Sequence, residues 1–376
     1  MLPYGRQSID ESDIEAVANV LRGDWLTTGP AVQAFERDIA SIAGLKAPAV
    51  GVTSGTAALH TAYAGLGVGP GDEVITTPLT FFATATTAMW QGARIVFADV
   101  CEDTGNLDPV AVKDAMTPQT AVVAGVDFAG HPIDADGLAE VAHSGGALLL
   151  EDAAHSIGGS LDGTPVGSLA DVTTFSFFPT KNLTTAEGGA LVSSYDEILD
   201  RARDFKGIGY TRDAAKLRSP GDGPWHYEVH SLGLNYRLPD VLAALGSNQL
   251  RRLALFKARR RAIHHRYNRG LSGIDSLRLP ATREGADPMW HLYPLRIVDG
   301  RRRELFDHLR SNGIGVQVNY IPVHLQPLFT DLGWRQGQFP VAETYSAQEI
   351  SLPMFPTLSD SDVDRVIELV RDFVGT

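Results

Sequence analysis

The chain has 376 residues, enough for two domains around one large core. Its 44% apolar content includes no run as long as a membrane-spanning helix. The net charge of −13 (32 basic against 45 acidic residues) opposes the positive footprint of nucleic-acid binding, and the single Cys101 excludes an intramolecular disulfide and a cysteine metal cluster. The opening Met-Leu-Pro-Tyr-Gly-Arg lacks the apolar run of a signal peptide, so a soluble cytoplasmic protein with no metal site is expected. An anionic small ligand stays open, because a pocket can be positive on an acidic protein. The basic run Lys257, Arg259, Arg260 and Arg261 reads as a solvated helix face.

In chain order, Ser12 with Glu15 forms a capping-box pattern. Ile14, Val17 and Leu21 share the face of the helix that follows, and Gly23 stops it. Strands are predicted at 49–53, 73–76, 95–97, 121–126, 147–150, 172–176 and 190–192, with helical patterns from Ala57 and from Pro78 through Trp90. Near-continuous apolar strands separated by helices indicate an α/β fold, its parallel or mixed sheet buried on both faces. After Pro239 a long helical pattern through Leu242, Leu245, Leu250 and Leu253 links to a smaller unit. That unit has strands at 292–298 and 315–320 and a helix at 302–310. A last helix follows Ser359, with Val363, Val366, Ile367 and Val370 inward. The expected division is a large domain over 1–250 and a small C-terminal domain over 251–376.

Three segments place reactive or anion-binding groups at strand ends, where ligands of such sheets bind. Ser54-Gly55-Thr56 lies between a strand and a helix start, where free N–H groups and hydroxyls could cradle a phosphate, or could merely cap the helix. Asp152 closes an apolar strand in Glu151-Asp152-Ala153-Ala154-His155. A carboxylate there needs a partner such as a protonated ring nitrogen, or it caps the next helix; His155 within one turn could bond backbone alone. Lys181, in Ser176-Phe177-Phe178-Pro179-Thr180-Lys181-Asn182, could form an imine with a carbonyl, although a loop lysine is commonly solvated. Together they are the three handles that pyridoxal 5′-phosphate (PLP) requires.

These residues resemble the DegT/DnrJ/EryC1/StrS family of sugar aminotransferases over nearly the whole chain. The resemblance runs through 26–30, 54–59, 151–155, 181–189, 233–238, 313–314, 323–326 and 351–353. It implies the fold type I (aspartate aminotransferase-like) architecture of PLP enzymes and a homodimer with shared active sites. It also implies a catalytic Lys181 Schiff base and an Asp152–pyridinium pair. It further implies that Phe81 stacks on the cofactor ring, that Ser176 binds its phosphate, and that Asn235 reaches the cofactor phosphate of the neighbouring subunit. Read without the resemblance, Phe81 is core packing and Asn235 a turn residue. Many members carry glutamine at His155, histidine near Phe178 and glycine at Ala186. Members that dehydrate sugars carry histidine in place of the lysine, which here is Lys181.

The expected reaction moves an amino group from glutamate, which leaves as 2-oxoglutarate, to a nucleotide-linked keto-sugar, a 4-keto-6-deoxyhexose. Segments 126–130, 184–189 and 350–353 look similar to those of C4 aminotransferases of the pseudaminic-acid and aminoarabinose types. Amination at C3, or of a cyclitol or aminobenzoate-type ketone, and PLP binding by a regulator without turnover are the alternatives. A dinucleotide-binding oxidoreductase fails for lack of Gly-x-Gly-x-x-Gly after the first strand. The expected sugar-binding residues are Tyr4, Arg6, Arg237, Tyr320 and His324.

Overall fold

A computed structural model of the chain describes residues 1–219, 221 and 223–375. Seven strands form one sheet in the order Val50–Val52, Gly189–Ser193, Val172–Ser176, Leu148–Asp152, Thr120–Val126, Glu73–Thr76, Arg94–Phe97. Gly189–Ser193 runs antiparallel to both neighbours, and the remaining pairs are parallel. Helices cover the faces, so whole strands such as Val172–Ser176 and Gly189–Ser193 are buried. That double burial is why 121–126 and 148–150 are apolar without alternation. A second sheet, antiparallel, joins Leu277–Arg278, Tyr293–Ile297 and Glu349–Leu352. One apolar core includes residues of both sheets, and we propose the domain boundary near residue 250 between them.

Several local expectations change. The first helix, Glu11–Arg22, is capped by Asp10 with Asp13 rather than by Ser12 with Glu15. Ile14 and Leu21 are exposed, and the buried group is Asp13, bonded to Asn248 Nδ2 at 2.7 Å and Gln249 Nε2 at 2.8 Å. The helix therefore docks through hydrogen bonds, which an apolar periodicity does not register. The single linking helix is two, Asp240–Leu250 and Leu253–Leu271. The expected strand at 315–320 is a lone bridge between Gln317 and Ser351, because Asn319 turns its N–H to Glu349 Oε2 at 2.7 Å. The final helix, Asp360–Val374, is capped by Ser359 and buries Val363, Val366, Ile367 and Val370.

The basic run is not a solvated face. Lys257 donates to Gly158 O and Asp287, and Arg259 and Arg261 pair with Asp360 and Asp287. Arg260 is fully buried, and its Nη1 donates to the carbonyls of Trp290 (3.3 Å), His291 (3.3 Å) and Met354 (3.1 Å). Desolvation pushes this guanidinium down to about 10. Its bonds tie the helix to the segment ahead of Tyr293–Ile297 that carries His291. The N-terminal segment crosses the same region, with Leu2 N bonded to Gly313 O (2.8 Å), Gly315 N to Leu2 O (2.8 Å) and Met354 N to Tyr4 O (3.2 Å).

Arg260→Met keeps most of the volume but leaves three buried carbonyls without their charged donor. Unfolding stability should fall by about 3 kcal/mol, read as a lower urea midpoint at constant slope. An unchanged midpoint would show that these bonds do not hold the segment.

Candidate active site

A cavity of about 650 Å³ opens at the C-terminal ends of the parallel strands. Strand direction alone gathers residues distant in sequence there: Asp152 ends one strand, Ser176 the next, and the loop behind Ser176 carries Lys181. The helix Gly55–Leu66 points its N-terminus into the same space.

Ser54 caps that helix by accepting from Ala57 N at 3.0 Å. The first-turn N–H groups of Gly55 and Thr56 are left without helical partners, so they and the helix dipole favour an anion. Close packing demands glycine here. A Cβ on Gly55 would stand 2.7 Å from Ser176 Oγ, and one on Gly189 2.3 Å from Ser54 O. The Ser176 hydroxyl thereby sits beside the helix terminus.

Asp152 is 5% exposed. Its Oδ2 accepts from Thr84 Oγ1 at 2.7 Å and its Oδ1 from Ala154 N at 3.2 Å. Thr80 Oγ1 lies 2.9 Å from Thr84 Oγ1 and extends this chain. Burial raises the Asp152 pKa, and the two hydrogen bonds and the charge of Lys181 pull it back. Burial pushes the Lys181 amine down to about 8, opposed by the Asp152 charge. Each residue steadies the charged form of the other in a site that disfavours both.

His155 and His291 lie against each other with ring centroids 4.4 Å apart and planes tilted by 34°. Burial, with Lys181 nearby, holds both well below the usual histidine range, so both are neutral. Tyr320 Oη lies 3.3 Å from His155 Nε2. Asn182 Nδ2 donates to His155 O at 2.5 Å and to Met289 O at 3.0 Å, pinning the loop. Behind the strand, Asp127 accepts from Ser156 Oγ and from Ile133 N (2.8 Å), while burial raises its partner Glu151 to about 7.

The cavity thus brings together Ser54, Gly55, Thr56, Phe81, Asp152, His155, Ser176, Lys181, Tyr4 and Tyr320. Phe81 is 47% exposed with its ring at the cavity, not packed in the core. Four expected residues lie elsewhere. His324 is wholly buried, bonded to Glu343 Oε1 at 3.0 Å and packed edge-on against Phe339, so it has no face toward the cavity. Arg6 is exposed and borders a small cleft on the other side of Lys181, not the cavity itself. Arg237 pairs its backbone with Val52, and Asn235 is exposed, pairing with Gly207. Thr84, His291 and Asn319 were not foreseen. Thr84 follows Thr80 at helical spacing, but nothing in the sequence links it to Asp152. His291 arrives through a long-range contact, and Asn319 lay in the misread strand. Ala186 has φ 67°, the left-handed region where glycine is easiest, which suits the glycine that the resemblance leads one to expect there.

These groups fit PLP. Asp152 could face a protonated ring nitrogen, Lys181 an aldehyde, Phe81 the ring, and the Ser54–Thr56 turn with Ser176 a phosphate. The Gly55 backbone lies where a Cβ would already touch Ser176, and the buried Asp152 and Lys181 are the charges such a group would meet.

Residues 7–371 match the model of the DegT/DnrJ/EryC1/StrS aminotransferase family. The chain is 42% identical over 379 residues to the spore coat polysaccharide biosynthesis protein SpsC of Bacillus subtilis strain 168, covering 99% of this chain and 97% of that one. It superposes on the aminotransferase TlmJ from Streptoalloteichus hindustanus with TM-score 0.92, 34% identity, and 100% and 99% of the two chains covered. The structure of S. venezuelae DesV in complex with a ketimine intermediate gives TM-score 0.90 at 36% identity, over 97% and 94%.

Because desolvation lowers the Lys181 amine, it should react as a free amine far below the range of exposed lysines. In acetylation of the PLP-free protein, mapped by mass spectrometry across pH, its midpoint should fall at about 8, against about 10.4 for exposed lysines. A midpoint shared with the exposed lysines would remove the electrostatic argument for this site.

Proposed function

The chain belongs to the DegT/DnrJ/EryC1/StrS aminotransferase family and is a PLP-dependent aminotransferase; from that premise we propose that it transfers an amino group from glutamate to a nucleotide-linked keto-sugar, a 4-keto-6-deoxyhexose. The observation that carries the reading is the convergence of Lys181 and Asp152 in one cavity beside a phosphate-ready helix N-terminus. A carbohydrate acceptor is supported by the SpsC relative, whose name refers to polysaccharide biosynthesis.

When bound, PLP supplies an aldehyde to take up the amino group and an electron-withdrawing pyridinium ring. In this reading Asp152, held by Thr84 and Ala154, keeps the ring nitrogen protonated. Ser54, Gly55, Thr56 and Ser176 hold the phosphate, and Phe81 covers the ring. Lys181 Nζ, neutral above about pH 8, takes the proton from the α-carbon of glutamate and delivers one toward the carbon that receives the amino group. His155 and Tyr320, linked by their hydrogen bond, form a neutral wall from which the Tyr320 hydroxyl can donate to a substrate oxygen when His155 Nε2–H donates to it. Tyr4 reaches the same space from the N-terminal segment. We propose a cytoplasmic location, and among the described residues no helix is long and apolar enough to cross a membrane.

A homodimer with shared sites completes the proposal. Lys181 is the one cationic side chain among the described residues lining the cavity, although the expected ligands carry several phosphates. Asn235 stands exposed, away from its own cavity, in a segment where Trp225, Tyr227, Val229 and Leu232 also expose apolar surface. A second copy covering that surface would carry Asn235 to the neighbouring phosphate.

Glutamate added to the holoenzyme should convert the absorbance of the pyridoxal form to that of the pyridoxamine form. Lys181→Ala should slow that conversion by about 10²–10⁴-fold through loss of the proton carrier alone. NMR of products from a panel of nucleotide-linked keto-sugars should place the new amine at C4. No conversion by the wild type would indicate a binding protein without turnover, and an amine at C3 would move the substrate class.

Lys181→Ala and Asn235→Ala protomers, each inactive alone, should regain activity when mixed, because some heterodimer sites then hold both residues intact. Verified heterodimers without activity would show that each site is built from one chain.

A further inference from the structure

A buried hydrogen-bond chain leads from the cavity to a carboxyl that the proposed chemistry does not use. Glu349 and Ser351 are wholly buried and Asn319 nearly so. Glu349 Oε2 accepts from Asn319 N at 2.7 Å, and Glu349 Oε1 accepts from the Ser351 hydroxyl. Asn319 Nδ2 lies 3.0 Å from Ser351 Oγ and 2.7 Å from Tyr4 Oη. Tyr4 and Asn319 both line the cavity.

The directions of these bonds are fixed from the buried end. An ionised carboxylate can only accept. Ser351 directs its one proton to it and must accept from the Asn319 amide. The amide nitrogen therefore faces Ser351 and Tyr4, and Tyr4 Oη accepts its second proton. The Tyr4 hydroxyl, which Ser351 also approaches, then keeps its own proton and can turn it into the cavity. We infer that Tyr4 donates this proton to an oxygen of the bound keto-sugar, and that Glu349, acting through Ser351 and Asn319, holds Tyr4 in the donor role. The inference rests on the reading of the cavity as a keto-sugar site and assigns the positioning role to Glu349.

Adding a proton to Glu349 reverses the chain. Ser351 then accepts from the carboxyl and donates to Asn319, whose amide turns its oxygen toward Ser351 and Tyr4. The Tyr4 proton is drawn to that oxygen, and the sugar meets a lone pair instead of a donor. Burial raises Glu349 to about 8, so the donor arrangement belongs to the alkaline side of that value. Arg302 acts on Glu349 and Arg260 on Tyr4 through space, and Arg296, the cross-strand neighbour of Glu349, lies over the Tyr345 ring at 4.6 Å. The phenols of Tyr4, Tyr320 and Tyr345 are all raised above the ordinary tyrosine range.

The test uses the PLP holoenzyme, which binds a keto-sugar without turning it over. Calorimetry would measure the affinities of dTDP-4-keto-6-deoxyglucose and its UDP counterpart at about pH 6.5 and about pH 9.5. Wild type should bind the better probe about 3- to 10-fold more tightly at the higher pH, the worth of one neutral hydrogen bond. Tyr4→Phe and Glu349→Gln should each bind weakly at both values, and the double variant no more weakly than either single one. Ser351→Ala, which breaks the chain in its middle, should match Glu349→Gln and serves if that variant fails to fold. Wild-type affinity in Tyr4→Phe at the higher pH, an unaltered pH dependence in Glu349→Gln, or additive losses in the double variant would overturn the assignment. So would a melting temperature that falls in step with affinity. Conversion of wild type by glutamate with neither sugar bound would overturn the keto-sugar reading and this inference together. Binding that ignores Tyr4 would overturn the inference alone.

Discussion

Two opposite charges inside one poorly solvated cavity govern this structure. Asp152 and Lys181 are each disfavoured as ions by burial, and each is held by the other. Neither could stand alone at the end of a sheet whose strands are apolar through their length. The surroundings serve that pair. Thr84 and Ala154 supply the hydrogen bonds that keep Asp152 a carboxylate, and Asn182 and Ser156 fasten the loops around it. Bound PLP would add its own charges to the same balance, a ring cation at Asp152 and a phosphate at the helix terminus.

Neutral polar groups surround these charges. His155 and His291 stay uncharged because they are buried beside Lys181, so they offer hydrogen bonds without competing for the carboxylate. Arg260 is the opposite case, a full charge buried and stabilised by three backbone carbonyls. It fixes the backbone behind His291, so the positions of the neutral rings depend on a cation that never meets the ligand. The Glu349 chain extends the logic to Tyr4, where a buried carboxyl sets the direction of a hydroxyl in the cavity.

The strands of the large sheet were legible because burial on both faces leaves continuous apolar runs, as at 121–126 and 148–150. The last helix was legible because Val363, Val366, Ile367 and Val370 repeat at its period. The first helix was misread in its cap and its docking, since Asp13 joins Asn248 and Gln249 across more than 230 residues and leaves no local signal. The basic run was misread for the same reason: charge spacing on a helix cannot tell that Arg260 faces carbonyls and Lys257 a distant aspartate. His324, expected over the substrate, is enclosed with Phe339 and Glu343 because the loop after Pro322 folds inward.

The sequence by itself determined which groups could do the chemistry. The phosphate turn at Ser54, the carboxylate at Asp152 and the amine at Lys181 each follow a strand, and strand direction sends all three to one edge. Tertiary structure decided how those groups behave and what surrounds them. The pKa of Lys181, the neutrality of the two histidines, the Thr84 bond to Asp152 and the run of hydrogen bonds from Glu349 to Tyr4 all depend on burial and on contacts between segments far apart in the chain. Desolvation and hydrogen-bond direction are properties of the packed interior, and they have no counterpart in the spacing of residues along the sequence.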